Sequence, residues 1–223
     1  MPVAPASPHV SPHASPSGLF ARAYPLRPAR VHEVCGAGAT AFAAVTCARA
    51  RAGALIWIRE DWTSERLNPL GLAQFFDPSR LLLANARHAT DALAVAEEAL
   101  RDAAVALVLL EVSRPLDLRQ GRRLQLAAQT GGGTGLCLIP EGMGSNAAET
   151  RWRATPRAAR DGRDGDGDGG MAAAGDSTLL RWALIKNKSG TLGAWDVRWN
   201  AKTYRLDVVP PLAERPGAAR AAP

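Results

Sequence analysis

The sequence predicts an α/β protein, a doubly wound parallel sheet extended by a C-terminal antiparallel meander. Three observations predict it. Short apolar runs at residues 31–35, 54–58, 81–84, 105–110 and 136–139 alternate with helix-period stretches at 42–51, 91–101 and 116–130. Some of those runs, Ala54-Leu55-Ile56-Trp57-Ile58 above all, are apolar throughout, as strands buried on both faces are. Past residue 179 the period becomes two: 179–186, 195–199 and 204–209 alternate apolar with polar, joined by Lys188-Ser189-Gly190 and Asn200-Ala201-Lys202.

Residues 1–28 are rich in Pro, Ser and Ala and read as a disordered arm. His9 and His13 stand four apart, but Pro8, Pro12 and Pro16 forbid the helix that would pair them on a metal. The first strand, with Val31, Val34 and Cys35, runs into Gly36-Ala37-Gly38-Ala39-Thr40 and then an alanine-rich helix. Strand, glycine loop and helix N-terminus in that order present backbone N–H groups to an anion. An active phosphate loop needs G-x-x-x-x-G-K-[ST]. With Gly36 as the first glycine, Ala41 takes the place of the second, Phe42 that of the lysine and Ala43 that of the hydroxyl. Gly36, Gly38 and Thr40 are therefore candidates for a vestigial phosphate contact, and the chain is expected not to hydrolyse ATP.

Gly53 ends the first helix, and the next strand leads into Arg59-Glu60-Asp61-Trp62 at the carboxyl edge, where open α/β sheets bind ligands. Asn68-Pro69 and Asp77-Pro78 mark a loop before the strand at 81–84, and Thr90 is the expected cap of the helix at 91–101. The strand at 105–110 ends in Glu111. The helix at 116–130 carries Arg119, Arg122 and Arg123 and is closed by Gly131-Gly132-Gly133. These elements make a core over residues 29–209, with a loose tail at 210–223. Residues 157–175, mostly Arg, Asp and Gly, read as a flexible loop. Part of it matches the first half of a calcium loop, but Gly175 stands where the closing glutamate belongs.

The net charge of +6 suits nucleic acid or an acidic protein partner. Arg151-Trp152-Arg153 mixes guanidinium with aromatic, as single-stranded DNA sites do. Arg119, Arg122, Arg123, Arg151, Trp152 and Arg153 are thus the candidate partner or DNA contacts, with a solvated face as the other reading of the helix arginines and a core ring as the other, commoner reading of Trp152. Cys35, Cys47 and Cys137 form neither a C-x-x-C pair nor a disulfide framework and read as small core residues of a reducing compartment. No apolar run approaches the roughly 20 residues of a membrane helix, and the N-terminus lacks a signal-peptide pattern, so a cytoplasmic protein is expected. G-x-S-x-G and H-E-x-x-H are absent, and no metal or other cofactor is expected.

The order of these elements resembles the RecA core, with its P-loop-type sheet. In that likeness residues 54–62 fall where RecA has its second core strand and the acidic residue that prepares the attacking water, which assigns that place to Asp61. Residues 105–111 look like the Walker B strand, with Glu111 in place of the usual Asp and able to hold Mg²⁺ through water. Lys186-Asn187-Lys188 is similar to the RecA tripeptide whose lysines reach a neighbour's nucleotide in the filament. A narrower resemblance, to the ImuA family, rests on GALIWI at 53–58, ALRDAAVALVLLEV at 99–112, RRLQLAAQTGG at 122–132 and AAETRWR at 147–153. It implies a non-catalytic accessory of SOS-induced error-prone translesion synthesis, working with an ImuB-like Y-family protein and a DnaE-like polymerase. RecA and DNA are further partners under this resemblance. The alternative it leaves is a nucleotide-dependent, DNA-binding ATPase related to the recombinases, with ATP and Mg²⁺ as its cofactors.

Overall fold

The computed structural model describes residues 16–62, 66–157 and 177–210. In chain order its elements are α1 (Pro16–Ala23), β1 (Val31–Cys35), α2 (Ala39–Arg49), β2 (Ala54–Glu60) and α3 (Pro69–Leu72). β3 (Leu81–Ala86), α4 (Ala89–Arg101), β4 (Val105–Glu111), α5 (Leu118–Gly131), β5 (Thr134–Leu138) and β6 (Thr150–Pro156) follow. β7 (Ser177–Asn187), β8 (Gly193–Asn200) and β9 (Arg205–Val209) complete the described chain. One sheet runs in the order β3-β2-β4-β5-β1-β6-β7-β8-β9. Its first six strands are parallel and the last three are joined antiparallel one to the next, so β6 is the seam, parallel to β1 and antiparallel to β7.

Local chemistry sets where the helices begin and stop. Pro69 starts α3 with Asn68 as cap, and Asp77 caps the single turn Pro78–Arg80, each side chain accepting a backbone N–H two residues on. Both X-Pro pairs therefore open short helical turns, because proline needs no N–H partner at the first helical position. Asp117 and Gln120 form a reciprocal capping box at the start of α5, and Gly132, at φ 75°, closes it in the left-handed conformation. α4 departs from expectation: it begins at Ala89 with His88 at the cap position, and Thr90 lies inside the first turn.

Helices cover both faces. α4 and α5 lie over an aliphatic layer that includes Val31, Ile58, Val108, Leu110 and Cys137. α1, α2 and α3 lie over an aromatic layer in which Phe42, Trp152 and Trp182 meet, the Phe42 and Trp182 rings 4.3 Å apart at their centroids. The three cysteines are buried and unbridged.

One of these elements corrects an expectation and another is an addition to it. The arm expected to be disordered through residue 28 is ordered from Pro16: Pro16–Ala23 is helical, and Phe20, Tyr24 and Leu26 are buried. Phe20 packs on Trp195 and Tyr24 on Trp182, so these side chains recover the ordering entropy that the surrounding Pro and Ala cannot. The strand β6 was not read from the sequence at all, although Thr150, Trp152 and Ala154 alternate inward along it. Residues 1–15, most of the 157–175 loop and residues 211–223 lie outside the described residues.

Candidate functional site

The glycine loop sits between β1 and α2 at the carboxyl edge of the sheet. Gly36 has φ +92°, and a Cβ there would lie 2.5 Å from the Ala154 carbonyl oxygen of β6. Gly38, at the cap of α2, donates its N–H to that same oxygen at 2.9 Å, and Ala39 N–H turns back to the Gly36 carbonyl at 2.9 Å. Part of the loop's donor set is thus already engaged by the neighbouring strand. Thr40 is exposed and lines an adjoining cleft of about 620 Å³, walled by α2, α3 and the ends of β2, β4 and β5. Phe42, at the lysine position, points away from that cleft into the aromatic core and is fully buried.

Two charged side chains on the cleft wall hold each other. Arg59 at the end of β2 pairs with Glu111 at the end of β4 at 2.9 Å, and the Trp57 indole donates to the same carboxylate at 2.8 Å. Sequence reading placed Glu111 correctly at this edge and missed Arg59 as its partner. A charged residue closing an otherwise apolar strand was the available signal. Asp61 is exposed, its N–H bonded to the Ala86 carbonyl at 2.9 Å. Its neighbour Glu60 is buried on the opposite face, held by Ser113 and the Trp62 indole. Among the described residues no group of three or more His, Cys, Asp or Glu is placed to hold a metal.

Lys186 and Lys188 sit at the other edge. Thr150 at the start of β6 pairs with Asn187 at the end of β7, which puts both lysines at the amino edge of the parallel sheet, away from the glycine loop. There Lys186 donates to the Ala148 carbonyl and Lys188 to the Ala147 carbonyl at 2.7 Å. Burial, with Lys188 and Arg151 nearby, holds the Lys186 ammonium below its usual pKa. The structure therefore brings Gly36, Gly38, Thr40, Asp61 and Glu111 to one edge and the two lysines to the other.

The candidate contact residues divide in the same way. Trp152 is corrected: it is fully buried, its indole donating to Thr150 at 3.0 Å, and it presents nothing to DNA. Arg151 spans from the buried Glu33 carboxylate at 2.7 Å to the Ser145 carbonyl at 3.1 Å. Arg153 pairs with Glu141 at 2.7 Å, and Arg157 lies 3.9 Å from Asp196. The alternation of β6 sends its arginines to the face opposite Trp152, where fixed acids meet them. On α5, Arg123 is taken by Glu97, whereas Arg119 and Arg122 are exposed.

No protein-family model matches the chain. Protein ImuA from two strains of Caulobacter vibrioides is 34% identical over 119 residues, which is 48% of this chain and 47% of the relative. The chain spans about half the length of the curated relatives it matches. Among solved structures, the RadB recombinase superimposes with a TM-score of 0.56 over 78% of this chain and 89% of its own, at 14% identity. That likeness is one of fold. The parallel core, the antiparallel extension and the partial sequence match thus lead to one conclusion: the chain has a RecA-like α/β fold and, over about half its length, a sequence similar to that of ImuA.

Proposed function

We propose that this protein is a non-catalytic, RecA-like accessory of SOS-induced error-prone translesion synthesis. In this reading it acts with an ImuB-like Y-family protein and a DnaE-like polymerase, in the cytoplasm. The observation that carries it is the state of the glycine-loop edge. The lysine position is a buried phenylalanine, the Gly38 N–H is engaged by Ala154, and Glu111 is engaged by Arg59. Phosphoryl transfer needs a cation on the terminal phosphates and a carboxylate free to order Mg²⁺. This edge supplies the second only by breaking an ion pair, and the first not from α2. The kinship with ImuA then supplies the setting.

The test is steady-state phosphate release by the purified full chain with ATP, Mg²⁺ and single-stranded DNA. The expected rate equals that of a protein-free blank. Release that disappears in Asp61→Asn would replace this reading with that of a nucleotide-dependent, DNA-binding ATPase. In the source organism, deleting the gene should lower damage-induced mutagenesis, and Asp61→Asn should restore it as well as the unaltered gene does.

A further inference from the structure

We propose that the outer face of α5 docks an acidic, amphipathic segment of another protein. The proposal rests on the reading above, that the chain works by holding partners, and names the chemistry of one of them. Leu118, Arg122 and Leu126 follow one another at four-residue spacing, so they form a line about 12 Å long on one side of the helix. Arg119 flanks that line, and every residue named on it faces solvent. Leu118 is 47% and Leu126 63% exposed, large values for leucine on a helix whose other side is packed. The arc carries no acid: Leu118, Arg119, Arg122, Leu126 and Gln129 make it up. Arg123, one step toward α4, differs because Glu97 holds it together with Arg101.

The platform is rigid. The capping box and the left-handed Gly132 fix both ends of α5. Between them the Gln125 amide donates to the Val31 carbonyl at 2.9 Å and the Ala147 carbonyl at 3.1 Å, and accepts the Val31 N–H. That clamp sets the rotation of the helix about its axis, so the outer line is presented before any partner arrives.

Leucines at both ends of the line decide between nucleic acid and protein. Phosphates are held by cations and polar donors, and leucine laid against them gains nothing. A helical segment with apolar side chains at matching spacing covers both leucines, while its carboxylates take the two guanidinium groups in forked hydrogen bonds.

A fluorescein-labelled, 16-residue amphipathic peptide with leucine along one face and glutamate elsewhere is the probe, read by anisotropy on the full chain. Saturable binding is expected, tenfold or more weaker with Arg119→Glu/Arg122→Glu. It should weaken by a similar factor with Leu118→Ser/Leu126→Ser, which leaves charge unchanged. A lysine version of the peptide should not bind, and a 25-nucleotide oligothymidine should not compete. No saturable binding, binding unchanged in either variant, or displacement by the oligonucleotide overturns the proposal. Sedimentation showing that α5 is instead covered by a second copy of this chain also overturns it. Thermal melts of both variants, expected to match the parent, exclude unfolding as the cause. ATP turnover would defeat the functional reading without altering these binding results, so the two failures are distinguishable.

Discussion

The two faces of this sheet are made of different material. Under α4 and α5 the core is aliphatic and small, with Ala92, Ala96, Ala127 and Ala128 turned toward the strands. Under α1, α2 and α3 it is aromatic, and includes Phe20, Tyr24, Phe42, Trp57, Trp152, Trp182, Trp195 and Trp199. The cause is coverage. α4 and α5, of 13 and 14 residues, lie side by side on one face, and small residues let them approach closely. The other face has one helix of 11 residues and two shorter ones, so rings fill the volume that helices leave. Aromatic filling includes position 42 of the glycine loop's helix, whose ring is fully buried. Position 42 belongs to the core before it belongs to any ligand.

The largest test of that contrast is Phe42→Lys. An ammonium in the ring cluster loses the phenyl packing and its own hydration, and a stability loss of about 4 kcal/mol or more is expected in urea titration. Nucleotide binding should not appear. The small-residue face is tested by Gly121→Val. A Cβ there meets Ser145 Oγ at 2.5 Å and Ala147 Cβ at 2.8 Å, so overpacking by about 1–3 kcal/mol is expected. A neutral result at either site would mean that the faces are looser than their packing indicates.

His32 is a buried, titratable polar group on the aromatic face. Its Nε2 donates to the Arg27 carbonyl at 2.9 Å and its Nδ1 accepts from Thr150 at 2.7 Å, so both nitrogens serve the neutral ring. Burial, opposed in part by the Arg27 hydrogen bond and the nearby Glu149 carboxylate, pushes its pKa from 6.5 down to about 4. The unfolded chain therefore binds the extra proton first. Stability is complete above pH 6.5, falls as pH drops from 6.5 to about 4 and changes no further on this account below that. At pH 5 the loss is about 2 kcal/mol, measurable by denaturant titration at two pH values, and His32→Gln should flatten it. The smallest expected effect is Leu126→Ser on the solvent side of α5, within about 0.5 kcal/mol by the same titration.

β2, β4 and β5 were legible in the sequence because burial on both faces leaves a continuous apolar run, of which β4 is the clearest case, and the C-terminal meander because one-sided burial leaves an alternation. β6 was not, because its polar alternate positions are arginines, which reads as a binding surface until Glu33 and Glu141 are seen opposite them. α1 was hidden by its neighbours' composition: Phe20 and Tyr24 stand four apart in a stretch rich in Pro, Ser and Ala. At the candidate site, the gathering of Gly36, Asp61 and Glu111 at one edge follows from strand order and was readable. The Arg59–Glu111 pair and the engagement of Lys186 and Lys188 by loop carbonyls depend on contacts between segments distant in sequence, which a local pattern does not carry.

The Ala154 carbonyl against the glycine loop has a consequence for how glycine spacing is read. Gly36 is held to glycine by its backbone angle and by a strand oxygen that a methyl group would strike, and a Cβ at Gly38 would lie 3.0–3.2 Å from the same peptide and the Thr155 nitrogen. Neither requirement mentions a nucleotide. The glycines answer to the adjacent strand, so their presence in the sequence is explained by sterics whatever the loop binds.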